Sequence, residues 1–251
     1  MKIASWQKES FIDYEGKIST LIFTSGCNYN CGYCHNPELK NLVNENIDEN
    51  ELFDYLKSKK GWIDAITISG GEPTLQWGLR NFIKEAKDLG FLVKLDTNGS
   101  RPEVLQELKN ENLIDYLAMD IKGPLELYPL ITRKFIDTRN DIGKGIALAS
   151  QFPKYEFRTT LVPIYENDGL ARWMTPREVG DAAKLITDWD SSGEENKIRY
   201  FLQPFKAIEK EKGDKKFTKD FLPKEMWETP REYLEMCLVE AKKHIPNSRI
   251  R

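Results

Sequence analysis

Ser25-Gly26-Cys27-Asn28-Tyr29-Asn30-Cys31-Gly32-Tyr33-Cys34-His35-Asn36-Pro37 places three cysteines within eight residues. Three thiolates on one loop can hold three corners of a cuboidal iron–sulfur cluster, leaving the fourth iron without a protein ligand, unlike the four-cysteine arrangement of electron-transfer clusters. An open iron can bind a substrate or a cofactor. Two other chemistries use the same residues. A structural zinc site closes four ligands, and here the fourth is either His35, awkwardly adjacent to Cys34, or the distant Cys237. A disulfide framework belongs to short secreted chains. This chain has 251 residues and opens Met1-Lys2-Ile3-Ala4-Ser5-Trp6-Gln7-Lys8, with no apolar run that reads as a signal peptide or membrane span. The cluster ranks first, zinc second and a disulfide third.

Outward from this loop, short apolar or β-branched runs alternate with helical patterns. The runs predict strands over Ile18 to Thr24, Ala65 to Ser69, Phe91 to Leu95, Tyr116 to Met119, Tyr155 to Val162 and Ile198 to Leu202. Asp48 with Glu51, Thr175 with Glu178 and Thr229 with Glu232 read as capping boxes, and Pro102, Pro176 and Pro230 as first helical positions. Between residues 77 and 89 a helix puts Leu79, Phe82, Ile83, Ala86 and Leu89 on one face. Six βα repeats predict a parallel α/β sheet in a single domain over 1–251. The lysine- and glutamate-rich Lys206 to Lys219 reads as a solvated loop or surface helix, within a loop or insertion over 206–228 after the last core strand. A protein-docking surface is the alternative for it.

Polar residues collect at the C-terminal ends of these strands: Thr24 and Ser25, Ser69, Asp96 to Asn98, Asp120, Thr160 and Gln203. Barrel enzymes place their chemistry on that face. Gly70-Gly71-Glu72-Pro73 follows the strand Ala65 to Ser69, and two glycines there let the backbone approach a ligand with no Cβ in the way. Glu72 then offers a carboxylate or a shaped turn. Asn98-Gly99 reads equally well as a tight turn, and Asp120 as a cap. Cys237 aligns with Leu234, Leu238, Ala241 and Ile245 as core, and His244 falls in a last helical turn.

Composition bounds the function classes. A content of 40% hydrophobic and 31% charged residues suits a globular protein with a sizeable core. A formal charge of -3 and a pI near 5.7 give no global field for nucleic acid or an anionic membrane. Four cysteines, three read as ligands, imply a reducing, cytoplasmic compartment, and an exposed cluster implies low oxygen.

The spacing C-x3-C-x2-C together with Gly70-Gly71-Glu72-Pro73 resembles the radical S-adenosylmethionine (radical SAM) superfamily. The resemblance implies a partial (βα)6 TIM barrel, open at one side. It implies a [4Fe-4S] cluster on Cys27, Cys31 and Cys34, with S-adenosyl-L-methionine chelating the fourth iron through its amine and carboxylate. Asp96-Thr97-Asn98-Gly99 and Ala118-Met119-Asp120-Ile121-Lys122 look like motifs of glycyl-radical-enzyme activases, especially the pyruvate formate-lyase activating enzymes. Carried over, Asp96, Thr97 and Asp120 surround the SAM carboxylate with a monovalent cation, while Lys122 supplies positive charge. Neighbouring carboxylates repel without such a cation. Arg158 to Pro163, with Thr160, resembles the strand that lines ribose and adenine, and reads equally as a core strand. Tyr33 offers a face to adenine or packs beneath the cluster. His35 is placed to hydrogen-bond toward cluster or cofactor.

Phe11 to Gly16, Cys31 to Leu39 and Leu117 to Pro124 resemble the anaerobic ribonucleoside-triphosphate reductase activating proteins. Two departures stand out: Glu15 replaces a usual proline, and Leu202-Gln203-Pro204-Phe205 replaces a histidine-bearing segment. The resemblance implies that a flavodoxin or ferredoxin reduces the cluster, that SAM is cleaved to a 5'-deoxyadenosyl radical, and that this radical takes hydrogen from a glycine of a partner enzyme. The nearer alternative is a radical SAM enzyme acting on a small molecule or peptide. The alternative of another class is a non-catalytic iron–sulfur or zinc-binding electron carrier, against which Gly70 to Pro73 speaks, because a carrier has no use for a strand-end site shaped for an amino acid.

Overall fold

The computed structural model describes residues 1–42, 47–134, 139–166, 169–194, 197–208 and 214–251. In chain order the elements are β1 (Ile3–Ser10), β2 (Ser19–Thr24), α1 (Glu49–Ser58), β3 (Ala65–Gly70), α2 (Leu79–Asp88), β4 (Leu92–Thr97), α3 (Pro102–Asn110), β5 (Tyr116–Asp120), α4 (Tyr128–Thr132), α5 (Arg139–Ala149), β6 (Tyr155–Leu161), β7 (Pro163–Tyr165), β8 (Ala171–Trp173), α6 (Pro176–Trp189), β9 (Tyr200–Pro204), α7 (Arg231–Lys242) and β10 (Arg249–Ile250). One eight-stranded sheet runs β1-β2-β3-β4-β5-β6-β9-β10. From β2 to β10 every pairing is parallel, and only β1 is antiparallel, folded back on β2. This is an α/β partial barrel in which β2, β3, β4, β5, β6 and β9 are the six strands expected from the sequence.

Period-2 alternation divides the sheet's faces. Val93, Leu95, Leu117, Met119, Phe157 and Leu161 point to the helices and join the main core with the buried faces of α2 and α6. The opposite, inner face carries Lys94 and Asp96, Tyr116 and Asp120, and Glu156, Arg158 and Thr160. Lys94 and Glu156 are buried there at 3% and 0% exposure, so the barrel interior is a polar network rather than an apolar plug.

The helix α2 buries Leu79, Phe82, Ile83 and Ala86 as its periodicity predicts. Of the three capping boxes only Thr175–Glu178 closes fully, with Glu178 N donating to Thr175 Oγ1 (3.2 Å) and Thr175 N to Glu178 Oε2 (2.7 Å). Asp48 caps α1 through Asn50 N (3.0 Å), without Glu51. Thr229 does not cap α7. Its hydroxyl accepts from Phe205 N (2.8 Å) and donates to Leu161 O (2.9 Å), joining two loops, and Pro230 takes the N-cap position. Pro102 and Pro176 do open their helices.

The segment after β9 departs from a solvated loop. Residues 209–213 lie outside the described residues, but Ile208, Phe217, Leu222 and Met226 are all buried. Phe217 packs its ring 6.3 Å from Tyr33, 5.5 Å from Tyr165 and 6.1 Å from Phe205. Four apolar residues among lysines thus make a strap pressed against the cysteine loop.

Main-chain bonds join the ends of β2 and β3 to the cysteine loop and close the loop on residues 39 and 40. Gly71 N donates to Thr24 O (2.8 Å), Glu72 N to Gly26 O (2.8 Å), Gly26 N to Leu39 O (2.7 Å) and Cys27 N to Lys40 O (3.0 Å). The approach is so close that a Cβ on Gly70, at φ +115°, would collide with the Thr24 backbone, and one on Gly71 with the Gly26 carbonyl and, at 2.9 Å, Leu39 O. The two glycines thus admit protein backbone first. Gly71→Ala is therefore expected to displace the cysteine loop, lowering stability by about 2–4 kcal/mol and cutting the iron retained after anaerobic reconstitution. Denaturant titration and iron analysis of the variant check both.

Candidate active site

Cys27, Cys31 and Cys34 line a cavity of about 220 Å³ at the C-terminal ends of the parallel strands. The wall opposite the thiols comprises Ser69 to Glu72 from β3, Asp96 to Asn98 from β4, Asp120 and Lys122 from β5, and Arg158 and Thr160 from β6. Of the predicted strand-end residues, Ser69, Asp96 to Asn98, Asp120 and Thr160 line this cavity with the cysteines, whereas Thr24, Ser25 and Gln203 do not. Burial pushes the Cys27 thiol up to about 11, against the Tyr29 N–H that donates to its sulfur at 3.4 Å, and burial raises Cys31 as well. Buried thiols release their protons only to a strong positive centre such as bound iron. Among the described residues no group of three or more His, Cys, Asp or Glu could hold a single metal ion. Thiolates of a cuboidal cluster each bind a different iron and need no such convergence.

Glu72 is 1% exposed. Its Oε1 accepts from Thr74 N (3.1 Å), Thr74 Oγ1 (2.6 Å) and Thr97 Oγ1 (2.7 Å), and its Oε2 from Asn98 N (2.7 Å). Burial still raises its pKa above the ordinary carboxylate range, the four donors opposing. Of the two roles expected for Glu72, this is the shaped turn: the carboxylate braces β3 against β4. Thr97 is committed to that brace. Asn98 sits before Gly99 (φ +74°), so the tight turn is present. Its amide also donates to Asn28 Oδ1 (2.9 Å), and Asn28 Nδ2 donates to Ser100 Oγ (2.6 Å), tying the cysteine loop to β4.

Asp96 and Asp120 share the guanidinium of Arg158, at 3.2 Å from Nη1 and 3.0 Å from Nε. Lys94 Nζ stands 3.0 Å from the other Asp96 oxygen, and Lys122 Nζ 3.0 Å from the other Asp120 oxygen. Of these groups Lys122 and Arg158 line the cavity together with Asp96, Asp120 and Glu72, while Lys94 lies outside the lining. Arg158 is the positive charge shared by Asp96 and Asp120. Neither Lys94 nor the bridging role of Arg158 was read from the sequence, although each is a basic residue inside an otherwise apolar or β-branched run.

Tyr33 is 8% exposed, packed on Phe217, with Lys122 Nζ 5.8 Å from its ring centroid. His35 lines the cavity half-buried, its basicity lowered by burial and by Lys206. Cys237 is 0% exposed in the core, its thiol pushed up to about 12, and His244 follows the last turn of α7.

Residues 21–169 match the family model described as Radical SAM superfamily. The chain is 37% identical over 254 residues to a protein of Methanocaldococcus jannaschii named as a glycyl-radical enzyme activating enzyme, covering 96% of this chain and 92% of that one. It is 34% identical over 127 residues to the pyruvate formate-lyase-activating enzyme of Streptococcus mutans, covering 45% of this chain and 48% of that one. In fold it resembles a spore photoproduct lyase mutant, with a TM-score of 0.59, 12% identity, and coverage of 98% of this chain and 78% of that one. No helix among the described residues is long and apolar enough to cross a membrane.

Lys122 and Arg158 overcome the burial of Asp120 and hold its carboxyl at about 2, against an ordinary 3.8. A depressed carboxyl contributes stability that is present above its ordinary value and is lost as pH falls toward the folded-state value. With the side chain 33% exposed, that contribution is about 1–2 kcal/mol after solvent screening. Asp120→Asn is expected to unfold at lower denaturant at neutral pH and to lack the part of the wild-type decline that falls between about pH 4 and pH 2. Parallel denaturation curves across that range measure it, and superimposable declines would remove the assignment.

Proposed function

This chain belongs to the radical SAM superfamily, and from that premise we propose that it abstracts a hydrogen atom from a backbone glycine of a glycyl radical enzyme, with anaerobic ribonucleoside-triphosphate reductase as the partner. The observation that carries the reading is the cavity on which three thiols and the charged strand ends bearing Asp96, Asp120, Lys122 and Arg158 converge. Likeness over nearly the whole chain to a protein named as an activating enzyme supports it.

In this reading Cys27, Cys31 and Cys34 hold a [4Fe-4S] cluster. When bound, the cluster and S-adenosyl-L-methionine supply a 5'-deoxyadenosyl radical by reductive cleavage of a carbon–sulfur bond, with flavodoxin or ferredoxin as the electron source in the cytoplasm. The strand ends do the positioning. Gly70, Gly71 and the turn braced by Glu72, with Asn98, bound the methionyl end. Lys122 and Arg158 attract its carboxylate, while a monovalent cation at Asp96, Thr97 and Asp120 would add to charge that Arg158 already provides. Tyr33 and Thr160 bound the adenosine. Arg158, gripped by two carboxylates, is fixed before the ligand arrives, so ordering it adds little cost on binding. The open side of the partial barrel admits a glycine-bearing segment of the partner.

Replacement of any one of Cys27, Cys31 or Cys34 by alanine is expected to abolish both the cluster absorbance and 5'-deoxyadenosine release, while Cys237→Ala retains both. Release of 5'-deoxyadenosine by the intact protein also separates an enzyme from an electron carrier. The same assay run with and without potassium or sodium tests the cation, since equal rates in all buffers would eliminate it.

The partner is tested by incubating the protein anaerobically with SAM, a reductant and the anaerobic ribonucleotide reductase of the same cell. Electron paramagnetic resonance is expected to show a glycyl doublet only when every component is present, and none after the reductase glycine is changed to alanine. Competent SAM cleavage without that doublet on any glycyl radical enzyme of the cell would replace this reading with a small-molecule or peptide substrate.

A further inference from the structure

The cysteine loop is held differently along its length. Its first part is fixed from the sheet, through Glu72 N to Gly26 O and through Asn28 to Asn98 and Ser100. The part that carries Cys31 and Cys34 is held by other groups. Asn30 N donates to Thr132 O (2.9 Å) at the end of α4, Lys40 Nζ donates to Cys31 O (2.6 Å), and Cys34 N turns back to Cys31 O (3.3 Å). A further contact falls on Gly32, between the two thiols. A Cβ there would overlap the Phe217 ring and lie 2.8 Å from Arg133 Nη2. The Gly32 backbone is outside the left-handed region, so this close approach, rather than main-chain conformation, is what calls for glycine.

Phe217 and Arg133 are themselves fixed. Asp214 accepts from Lys216 N (2.9 Å), capping the short turn Lys215–Phe217, and pairs with Arg133, so one carboxylate ties the turn that presents the ring to the residue that follows α4. Arg133 holds a left-handed backbone (φ +54°), strain that a non-glycine residue bears only where its surroundings fix it. Tyr165 Oη donates to Lys216 O, and Ile208 N to Phe217 O (3.0 Å). The ring is buried among Tyr33, Tyr165 and Phe205. It lines an outer cavity of about 180 Å³ with Arg133, Tyr165 and Lys216, and Tyr33 lines both this cavity and that of the cysteines. Tyr33 backed by Phe217 is thus the wall between the two.

We propose that Phe217 and Arg133 clamp the cysteine loop at Gly32, positioning the Cys31 and Cys34 thiols and closing them to solvent on the side of the outer cavity. Phe217 is a positioning residue, acting on the thiols through Gly32 and Tyr33. Cys27 is placed by the sheet, Cys31 and Cys34 by α4 and the strap, so the three thiols come into register for iron only while the strap is seated. The clamp is a property of the loop itself and is independent of the hydrogen-donor substrate.

The test compares alkylation of the four cysteines in reduced, iron-free protein, using iodoacetamide and peptide mass spectrometry to obtain a rate for each. In Phe217→Ala the rates at Cys31 and Cys34 are expected to rise about tenfold, as for a segment released from local packing, with Cys27 changed less and Cys237, in the core, unchanged. The same variant is expected to retain less iron after anaerobic reconstitution. Unchanged rates at Cys31 and Cys34, iron retention equal to wild type, or a parallel rise at Cys237, which would make Phe217 a support of the whole fold, each overturn the clamp. Wild-type protein that takes up no iron would count against the cluster and leave the alkylation rates to decide the clamp. Gly32→Ala is expected to raise the same two rates and to add nothing further in the Phe217→Ala background. Additive effects would show that ring and glycine do not meet, and would overturn it too. If Phe217→Ala does not fold, Arg133→Gln, at a partly exposed side chain, is read in its place: the same selective rise supports the clamp, and its absence overturns it.

Discussion

The brace made by Glu72 is the interaction on which the site's geometry depends. A carboxylate buried to 1% exposure is costly to desolvate, and it is tolerated because four donors, two of them main-chain N–H groups, converge on it. Those donors come from both sides of the junction between β3 and β4. The same turn presents Glu72 N to Gly26 O, so the brace and the cysteine loop share one residue. Any shift at the end of β3 is therefore felt at the thiols, and the glycines at 70 and 71 leave no slack to absorb it.

A second constraint is electrostatic. Asp96, Asp120, Arg158, Lys94 and Lys122 occupy the inner face at its upper end, and the chain of charges continues downward, with Lys94 Nζ donating to Asp13 O (2.7 Å) and Arg251 gripping Glu156 through two bonds (2.7 and 2.8 Å). An interior of this kind adds less stability than apolar packing of the same volume. It does hold charges rigidly in an environment where they are weakly screened, which is what binding a zwitterionic amino-acid group requires. The stability of the fold rests instead on the outer face, where the strands meet α2, α5 and α6 in one continuous apolar core.

Elements with strong one-dimensional signals were legible in the sequence. The six parallel strands announce themselves as apolar runs, and α2 by its spacing. The strand β1 did not, because Trp6-Gln7-Lys8-Glu9 offers little to bury and its strand is set by pairing with β2 rather than by its own composition. The Thr229–Glu232 spacing misled because the Thr229 hydroxyl had tertiary partners available. At the site, the three loop cysteines and the strand-end acids were readable as motifs. The Arg158 bridge was not, since it spans three strands and no spacing encodes it. The lysine-rich strap misled by composition: Phe217 packs on Tyr33, and lysines flanking a buried aromatic look the same in sequence as lysines in solvent.

Glu15, where the family resemblance leads one to expect proline, shows how the open barrel keeps its shape. It lies in the hairpin between β1 and β2, at the N-terminal end of the strands, and binds Lys154 (2.9 Å) and Arg199 (2.8 Å), which precede β6 and β9. Those two cations hold its carboxyl at about 2, and Tyr14 beside it stacks edge-on against Tyr116 at 5.4 Å. Each ion pair is partly exposed and individually weak. Their value is geometric, because they join the first hairpin to strands on the far side of the sheet that no main-chain ladder connects to it. A partial barrel tethered across its lower end can stay open at its upper end, where the cavity lies. The charge at Glu15 therefore fastens the barrel at the end away from the cavity.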